Sequence, residues 1–352
     1  MHEFNIQNRM SDYKIEVLTL GDKATTDRDK WEEFVKTSSQ GTLFNTFTWS
    51  DVLVSSFGLN SELVTVQKNN SIESGILLFY KNRFGLKVIT RAPLTLYNGI
   101  LFKRIDNLMK PQKVTDSHDK LTEIILKYIN NEFKFVNISS SYNINDTRAF
   151  IWSKWYAQPQ YTYTININNI NSVFDNFSSH LRTKIRCCER EPFFITKTND
   201  IDKLLILQEE SYFNSGLKPI LSLSLFHNFL SKLMEQGLVD IFSISKENNI
   251  HSMRALLRWN NIVYDVMAGT SEKYKREHST HYFVWKLLQK YSELGFTIFD
   301  FMGANTKNIV EFKRPFGGEL REYYDLTYYS SKAIRMLFKV NDFKKQLLRK
   351  QN

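Results

Sequence analysis

Two stretches of the chain repeat one hydrophobic pattern. "LVTVQKNNSIESGILLFY" (residues 63–80) reads as a strand, an Asn-Asn turn and a second strand, and "IFSISKENNIHSMRALLRW" (241–259) reads the same way. Lys68 aligns with Lys246, Asn70 with Asn248, Ile72 with Ile250 and Ser74 with Ser252. Asn tolerates positive φ, which fits a tight hairpin in both places. Each half next offers a third strand, "GLKVIT" (85–90) and "NIVYDVM" (261–267). Each then carries a helical run, "KLTEIILKYINNE" from Lys120 and "HYFVWKLLQKYSELG" from His281. In the second run Phe283, Val284, Leu287, Leu288 and Tyr291 recur at three- and four-residue steps. Each helix leads into a further strand, "FKFVNIS" from Phe133 and "FTIFDFM" from Phe296, with Asn137 and Asp300 in equivalent places. The pattern predicts an α/β chain with mixed (α+β) sheets in two similar domains, residues 1–160 and 161–330. A basic amphipathic C-terminal helix over 331–352 follows, its apolar positions at Ile334, Leu337, Phe338, Phe343, Leu347 and Leu348.

Composition sharpens this picture in two respects. Hydrophobic residues make up 42% of the chain and aromatics 14%, which favours packed cores over disorder. The net charge of +10 is uneven, because residues 332–352 hold seven Lys or Arg and one Asp. That run points to an anionic membrane surface or a phosphate-rich partner, and packing of a solvated helix face accounts for it equally well. The two cysteines, Cys187 and Cys188, are adjacent and form no disulfide framework, so a reducing cytoplasm is the expected setting. The N-terminal residues lack a signal-peptide pattern, and no run of about 18 apolar residues occurs. Trp49, Trp152, Trp155, Tyr161 and Tyr163 read as core and interface packing.

Candidate chemistry gathers in "FDFMGANTKNIVEFKRPFGGEL" (299–320), which holds three of the chain's 13 glycines beside a Lys-Arg pair. Asp300 ends a predicted strand with Phe299 and Phe301 on the other face. It is a candidate to orient an amine or act as base, or else a partner in an internal ion pair. Gly303 frees the turn, and Gly317 and Gly318 allow close approach of a ligand. Lys313 and Arg314 are expected on a strand between Phe312 and Phe316, facing a substrate phosphate or carboxylate. A second basic cluster places Arg182, Arg186 and Arg190 four residues apart on one helix face, suited to phosphates or to salt bridges with Glu189 and Glu191. His278 and His281 are near each other but bring no third metal ligand, so no metal site is expected.

The order of elements, with "GTLFNTFTWSDVLVSSFG", "RAPLTLYNGILF", "DTRAFIWSKWYAQPQYTYTINI", "LRTKIRCCER" and the 299–320 stretch, resembles the Gcn5-related N-acetyltransferase (GNAT) superfamily. It looks most like the tandem-domain, FemAB-like branch, from about Trp31 to Leu326. That resemblance implies two GNAT-like domains in tandem, the first divergent and on the acceptor side. It implies a bacterial cell-envelope transferase that moves an acyl or aminoacyl group to an amine. The acceptor would be a sugar nucleotide, a lipid-linked glycan or a peptidoglycan precursor. The donor would be an acyl-CoA, an acyl-carrier protein or an aminoacyl-tRNA, with no tightly bound cofactor. Tyr264 and Asp265 fall on a strand that often faces the acceptor, with Asp265 a candidate base. Arg91 and Tyr97 are candidates for an acceptor pocket in the first domain, or else part of a loop that Pro93 and Gly99 shape, and Arg182 and Arg186 would face the interdomain groove. The sequence departs from the family at "GTSEKYKREHSTHYFVWK", where Gly269 is the only glycine and the usual pyrophosphate-binding loop is missing. The chain is expected to be cytoplasmic, with peripheral contact at the inner membrane face through its C-terminal helix. The competing expectation is a non-catalytic twin-domain module that binds RNA or an anionic polymer.

Overall fold

The computed structural model describes residues 13–19, 25–83, 85–105, 109–214 and 222–339. These divide into two compact units, one from Met1–Gln160 with Glu322–Lys344 and one over Tyr161–Arg321, each in its described part.

The first unit begins with β1 (Lys14–Thr19) and α1 (Thr25–Thr37). α2 (Phe47–Phe57) starts at Thr46, whose hydroxyl accepts from Trp49 N. β2 (Asn60–Lys68) and β3 (Ser71–Arg83) form the predicted hairpin, and β1 pairs antiparallel with β2. The hairpin turn has positive φ at Asn69 (49°) and Asn70 (64°), as a two-residue turn matched to strand twist requires. β4 (Leu86–Ile89) pairs antiparallel with β3. The chain then leaves the sheet and returns to β3 at Ser74 and Gly75 as β5 (Leu101–Phe102). α3 (Pro111–Glu132) crosses over to β6 (Phe135–Ser139), parallel to β4. α3 presents Leu121, Ile125, Leu126 and Ile129 to a core that includes Ile76, Leu78, Val136 and Ile138. α4 (Arg148–Trp152) precedes β7 (Tyr156–Asn166), which carries the chain into the second unit.

The second unit repeats the plan. After α5 (Ile170–Asp175), α6 (Ser179–Cys188), β8 (Phe194–Thr198), α7 (Ile201–Asn214) and α8 (Leu223–Glu235) comes the hairpin of β9 (Val239–Lys246) and β10 (Asn249–Trp259). Its turn has φ of 49° at Glu247 and 63° at Asn248, matching Asn69 and Asn70. β11 (Ile262–Thr270) pairs antiparallel with β10. α9 (Ser279–Glu293) crosses over to β12 (Ile298–Asp300), parallel to β11 and antiparallel to the end of β7. Phe283, Val284, Leu287, Leu288 and Tyr291 of α9 enter the core, as their spacing predicts. α10 (Lys307–Lys313) and a 3-10 turn at Arg314–Phe316 lead to β13 (Glu319–Tyr329). β13 changes unit at Glu322, because Asp325–Tyr329 pair with β6.

Two sequence expectations change here. Lys313 and Arg314 stand on a helix and a 3-10 turn, not on a strand. "NIVEF" fits either period, and packing of Val310 and Phe312 against the core selects the helical one. Trp49, Trp155 and Tyr163 are buried, but Trp152 is 58% exposed and Tyr161 is exposed too. Of the expected C-terminal helix, residues 332–339 are helical and the rest lies outside the described residues. No helix among the described residues is long and apolar enough to cross a membrane.

Candidate active site

β11 keeps β12 as a neighbour only where Ile262–Tyr264 face Ile298–Asp300. β12 stops at Asp300, and the chain turns away through positive φ at Met302 (57°) and Gly303 (82°), a conformation that suits glycine at the second position. β11 continues to Thr270, still paired with β10. The register of that pairing slips between Ala255 and Leu256, so Val266 is an extra residue, a β-bulge. Two parallel strands thus separate just before a bulge. A cavity of about 680 Å³ opens there, lined by Arg254 of β10, Asp265 to Ala268 of β11, Met302, Phe312 and Lys313, with Gln208, Ser211 and Tyr212 of α7.

The charged groups of this cavity are buried and organised. Arg254 (4% exposed) donates from Nη1 to Oδ2 of Asp265 (7% exposed). Arg254 Nε and Asp265 Oδ1 are buried without a hydrogen-bond partner among the described residues. The guanidinium also lies 5.4 Å from the Phe312 ring centroid. Lys313 Nζ donates to the carbonyls of Phe301 (2.5 Å), Met302 (3.3 Å) and Gly303 (2.6 Å). Its three donors are thereby engaged with the turn after β12. Burial pulls the Lys313 ammonium down to about 8, against the pull of the Asp265 and Asp300 carboxylates, with Arg254 adding to the fall. Asp300 is fully buried, and its Oδ1 accepts from Thr162 Oγ1 (2.7 Å) and Met302 N (2.8 Å), fixing the same turn.

The structure therefore brings together Asp265, Lys313, Asp300 and Gly303. Tyr264 is buried on the face of β11 opposite Asp265. Arg314 is exposed. Phe316 is buried against Phe177, Phe301 and Phe312. A Cβ on Gly317 (φ 66°) would sit 2.2 Å from Asn176 O, so glycine there admits the chain past the end of α5. Arg182 Nη1 donates to Asp175 O at 3.1 Å and Arg186 lies over the Phe174 ring, which turns the arginine row toward α5. His281, near the start of α9, is pulled down to about 4, by burial first and then by Lys184 and other cations, so its ring is neutral at pH 7. No group of three His, Cys, Asp or Glu among the described residues could hold a metal ion. Nor do the residues before α9 form a glycine-lined pyrophosphate cradle. A 3-10 turn (Glu272–Glu277) stands there, and the first helical residue, Ser279, is buried against His251.

In the first unit, Arg91 pairs with Asp325 and reaches Ser139 Oγ at 3.4 Å. Tyr97 is buried edge-on against Tyr142 and Tyr323. Sequence reasoning passed over Arg254, although a lone arginine within "HSMRALL" was a signal: a cation on an apolar strand needs a buried partner. Gln208, Ser211 and Tyr212 gave no such signal, since α7 reads as an ordinary amphipathic helix.

The site is thus a bulged strand parting from a parallel neighbour over a cavity. Residues 175–314 match the family model of an acetyltransferase (GNAT) domain. No curated protein matches the sequence. Among solved structures, FemX matches with a TM-score of 0.64 at 14% identity, over 88% of this chain and 96% of that one. L-PGS from Bacillus licheniformis matches with a TM-score of 0.51 at 13% identity, over 88% and 94%. A tandem GNAT protein from the clavulanic acid biosynthesis pathway matches with a TM-score of 0.51 at 6% identity, over 90% and 99%. The chain thus shares the fold of FemX and of a tandem GNAT protein, and its residues 175–314 match a GNAT domain.

Proposed function

We propose that the second unit transfers an acyl or aminoacyl group from an activated ester or thioester to an amine by direct attack. The observation that carries this reading is the opening between β11 and β12, with the Arg254–Asp265 pair in its wall. In this reading, β11 backbone N–H groups that face the gap near the bulge meet the carbonyl oxygen as it becomes an oxyanion. The amine nitrogen bonds to the carbonyl carbon, and the carbonyl electron pair moves to oxygen. Collapse of that intermediate breaks the bond to sulfur or oxygen and expels the leaving group. The proton lost by the amine passes to Asp265 Oδ1, the oxygen that Arg254 leaves unbound, and then to the leaving group. Lys313 and Asp300 act by holding the 301–303 turn that forms one side of the cavity. Positioning of the two substrates contributes to the acceleration, up to about 7–11 kcal/mol in favourable cases.

The acceptor is an amine on a sugar nucleotide, lipid-linked glycan or peptidoglycan precursor, by the FemAB-like resemblance. The missing pyrophosphate cradle favours a carrier-bound or tRNA-bound donor over free acetyl-CoA. The test incubates the full chain with acetyl-CoA, an acyl-carrier thioester or aminoacyl-tRNA, each with a panel of such amines, and follows amide formation by mass spectrometry. Amide that disappears with Asp265→Asn supports the reading. No amide with any donor, together with nucleic acid that stays bound and is released by moderate salt, would establish the RNA-binding module instead.

A further inference from the structure

The first unit exposes six large hydrophobic side chains among its described residues, and five of them lie in two short segments, Ile151, Trp152 and Tyr156, and Met336 and Leu337. The segments meet. Arg335 stacks over the Tyr156 ring at 4.6 Å. Tyr156 in turn packs on Tyr329 (5.9 Å), Tyr329 on Phe135 (5.3 Å), and Phe135 on Phe338 (3.9 Å). Trp152 is four residues from Tyr156, so their Cα atoms are within about 14 Å.

Residues 332–339 are thus anchored by one helix face. Phe338 and Ile334, one turn apart, are half-buried, and Phe338 lies flat on Phe135. The opposite face carries Lys332, Met336 and Lys339 at helical spacing, with Leu337 beside them. Met336 is 72% exposed and Leu337 51%, an unusual setting for two apolar side chains on a helix that already has an inward face. Both segments also carry cations: Lys154, Lys332 and Lys339 are exposed, and the half-buried Arg335 lies over Tyr156. Trp and Tyr beside Lys and Arg, with a protruding aliphatic pair, is the composition of a surface that settles into the headgroup region of a bilayer. A protein partner would match the apolar part but has no need of the cations, and nucleic acid would use the cations but not Met336 and Leu337.

We propose that this face of the first unit docks on an anionic phospholipid bilayer, with Trp152, Met336 and Leu337 entering the interface and the cations meeting lipid phosphates. The proposal is independent of the transfer reaction assigned to the second unit. The test is co-sedimentation of the full chain with vesicles of phosphatidylcholine alone or with about one-third phosphatidylglycerol. Binding to the anionic vesicles that weakens with salt is expected. Met336→Asp with Leu337→Asp should lower the partition coefficient at least tenfold, and Lys332→Gln about fivefold. Met336, Leu337 and Lys332 are exposed, so the variants should keep the wild-type melting temperature. Trp152 fluorescence should be quenched by brominated lipid, and Trp152→Phe should remove that quenching. Equal binding to neutral vesicles, no binding, or anionic binding untouched by the double variant would overturn the proposal. So would loss of a dimer, or of RNA retention, in the double variant when the wild type binds no vesicles.

Discussion

The third strand of each unit starts alike and ends differently. In both it runs antiparallel to the second strand of the hairpin and parallel to the strand after the crossover helix, β4 beside β6 and β11 beside β12. In both it reaches equivalent places on the hairpin, Ser74 opposite Phe102 and Ser252 opposite Thr270. The second unit makes this passage with a one-residue bulge at Val266, and the gap stays open as the cavity. The first unit makes it with an excursion over residues 90–100 that folds back into the gap. Asn98 N donates to Ser139 O at 3.0 Å, and Ser139 N donates to Asn98 Oδ1 at 3.1 Å, on the edge of β6 that β4 no longer covers. Tyr97 fills the space beside it with an aromatic ring. One topology thus yields a plugged gap and an open one. The difference teaches that the site depends on how the third strand is interrupted more than on the fold itself.

Substitutions can break that comparison. Asp265→Ala leaves Arg254 buried without its carboxylate and should destabilise the second unit by about 3–5 kcal/mol, measured by urea denaturation. Lys313→Met removes charge-assisted bonds to three carbonyls and should cost about 1.5–3 kcal/mol, with transfer reduced at least tenfold. The same residue gives the pH dependence. Its folded ammonium titrates near 8, below its ordinary 10.5, so the cation that holds the turn is present below about pH 8 and lost above it. Transfer rate should therefore fall as pH rises through 8, and this limb should vanish in Lys313→Met. The sign for stability is the reverse. The unfolded chain binds the proton more tightly, so burial of the charge costs stability below 8 and that cost fades between 8 and 10.5.

Smaller effects sharpen the contrast. Asn98→Ala unpairs the plug of the first unit and should cost about 1–3 kcal/mol while transfer in the second unit stays at the wild-type rate. Arg91→Ala breaks a partly exposed ion pair, with Arg91 41% and Asp325 16% exposed, and should cost no more than about 1 kcal/mol. Arg314→Ala should change stability by less than about 0.5 kcal/mol and leave turnover intact, which separates it from the adjacent Lys313. A strong activity loss in Arg314→Ala would show that the exposed cation, not the caged one, meets the substrate.

The duplication was legible because it rests on local signals. Hairpin turns at Asn69–Asn70 and Glu247–Asn248, the period of α9, and the alternation that buries Phe299 and Phe301 all lie within a few residues of chain. Lys313, Asp300 and Gly303 were also singled out in the sequence, by charge or by glycine, and Asp265 through the family resemblance. Their grouping was not readable there, because Asp265 and Lys313 are 48 positions apart in the chain and meet only when α10 folds over the end of β12. Nor did the pattern reveal that Lys313 faces three carbonyls, or that Arg254 pairs with Asp265. Those outcomes follow from burial. Once a cation leaves water it must take whatever oxygen the packed neighbours present, and only the tertiary arrangement decides which oxygens those are.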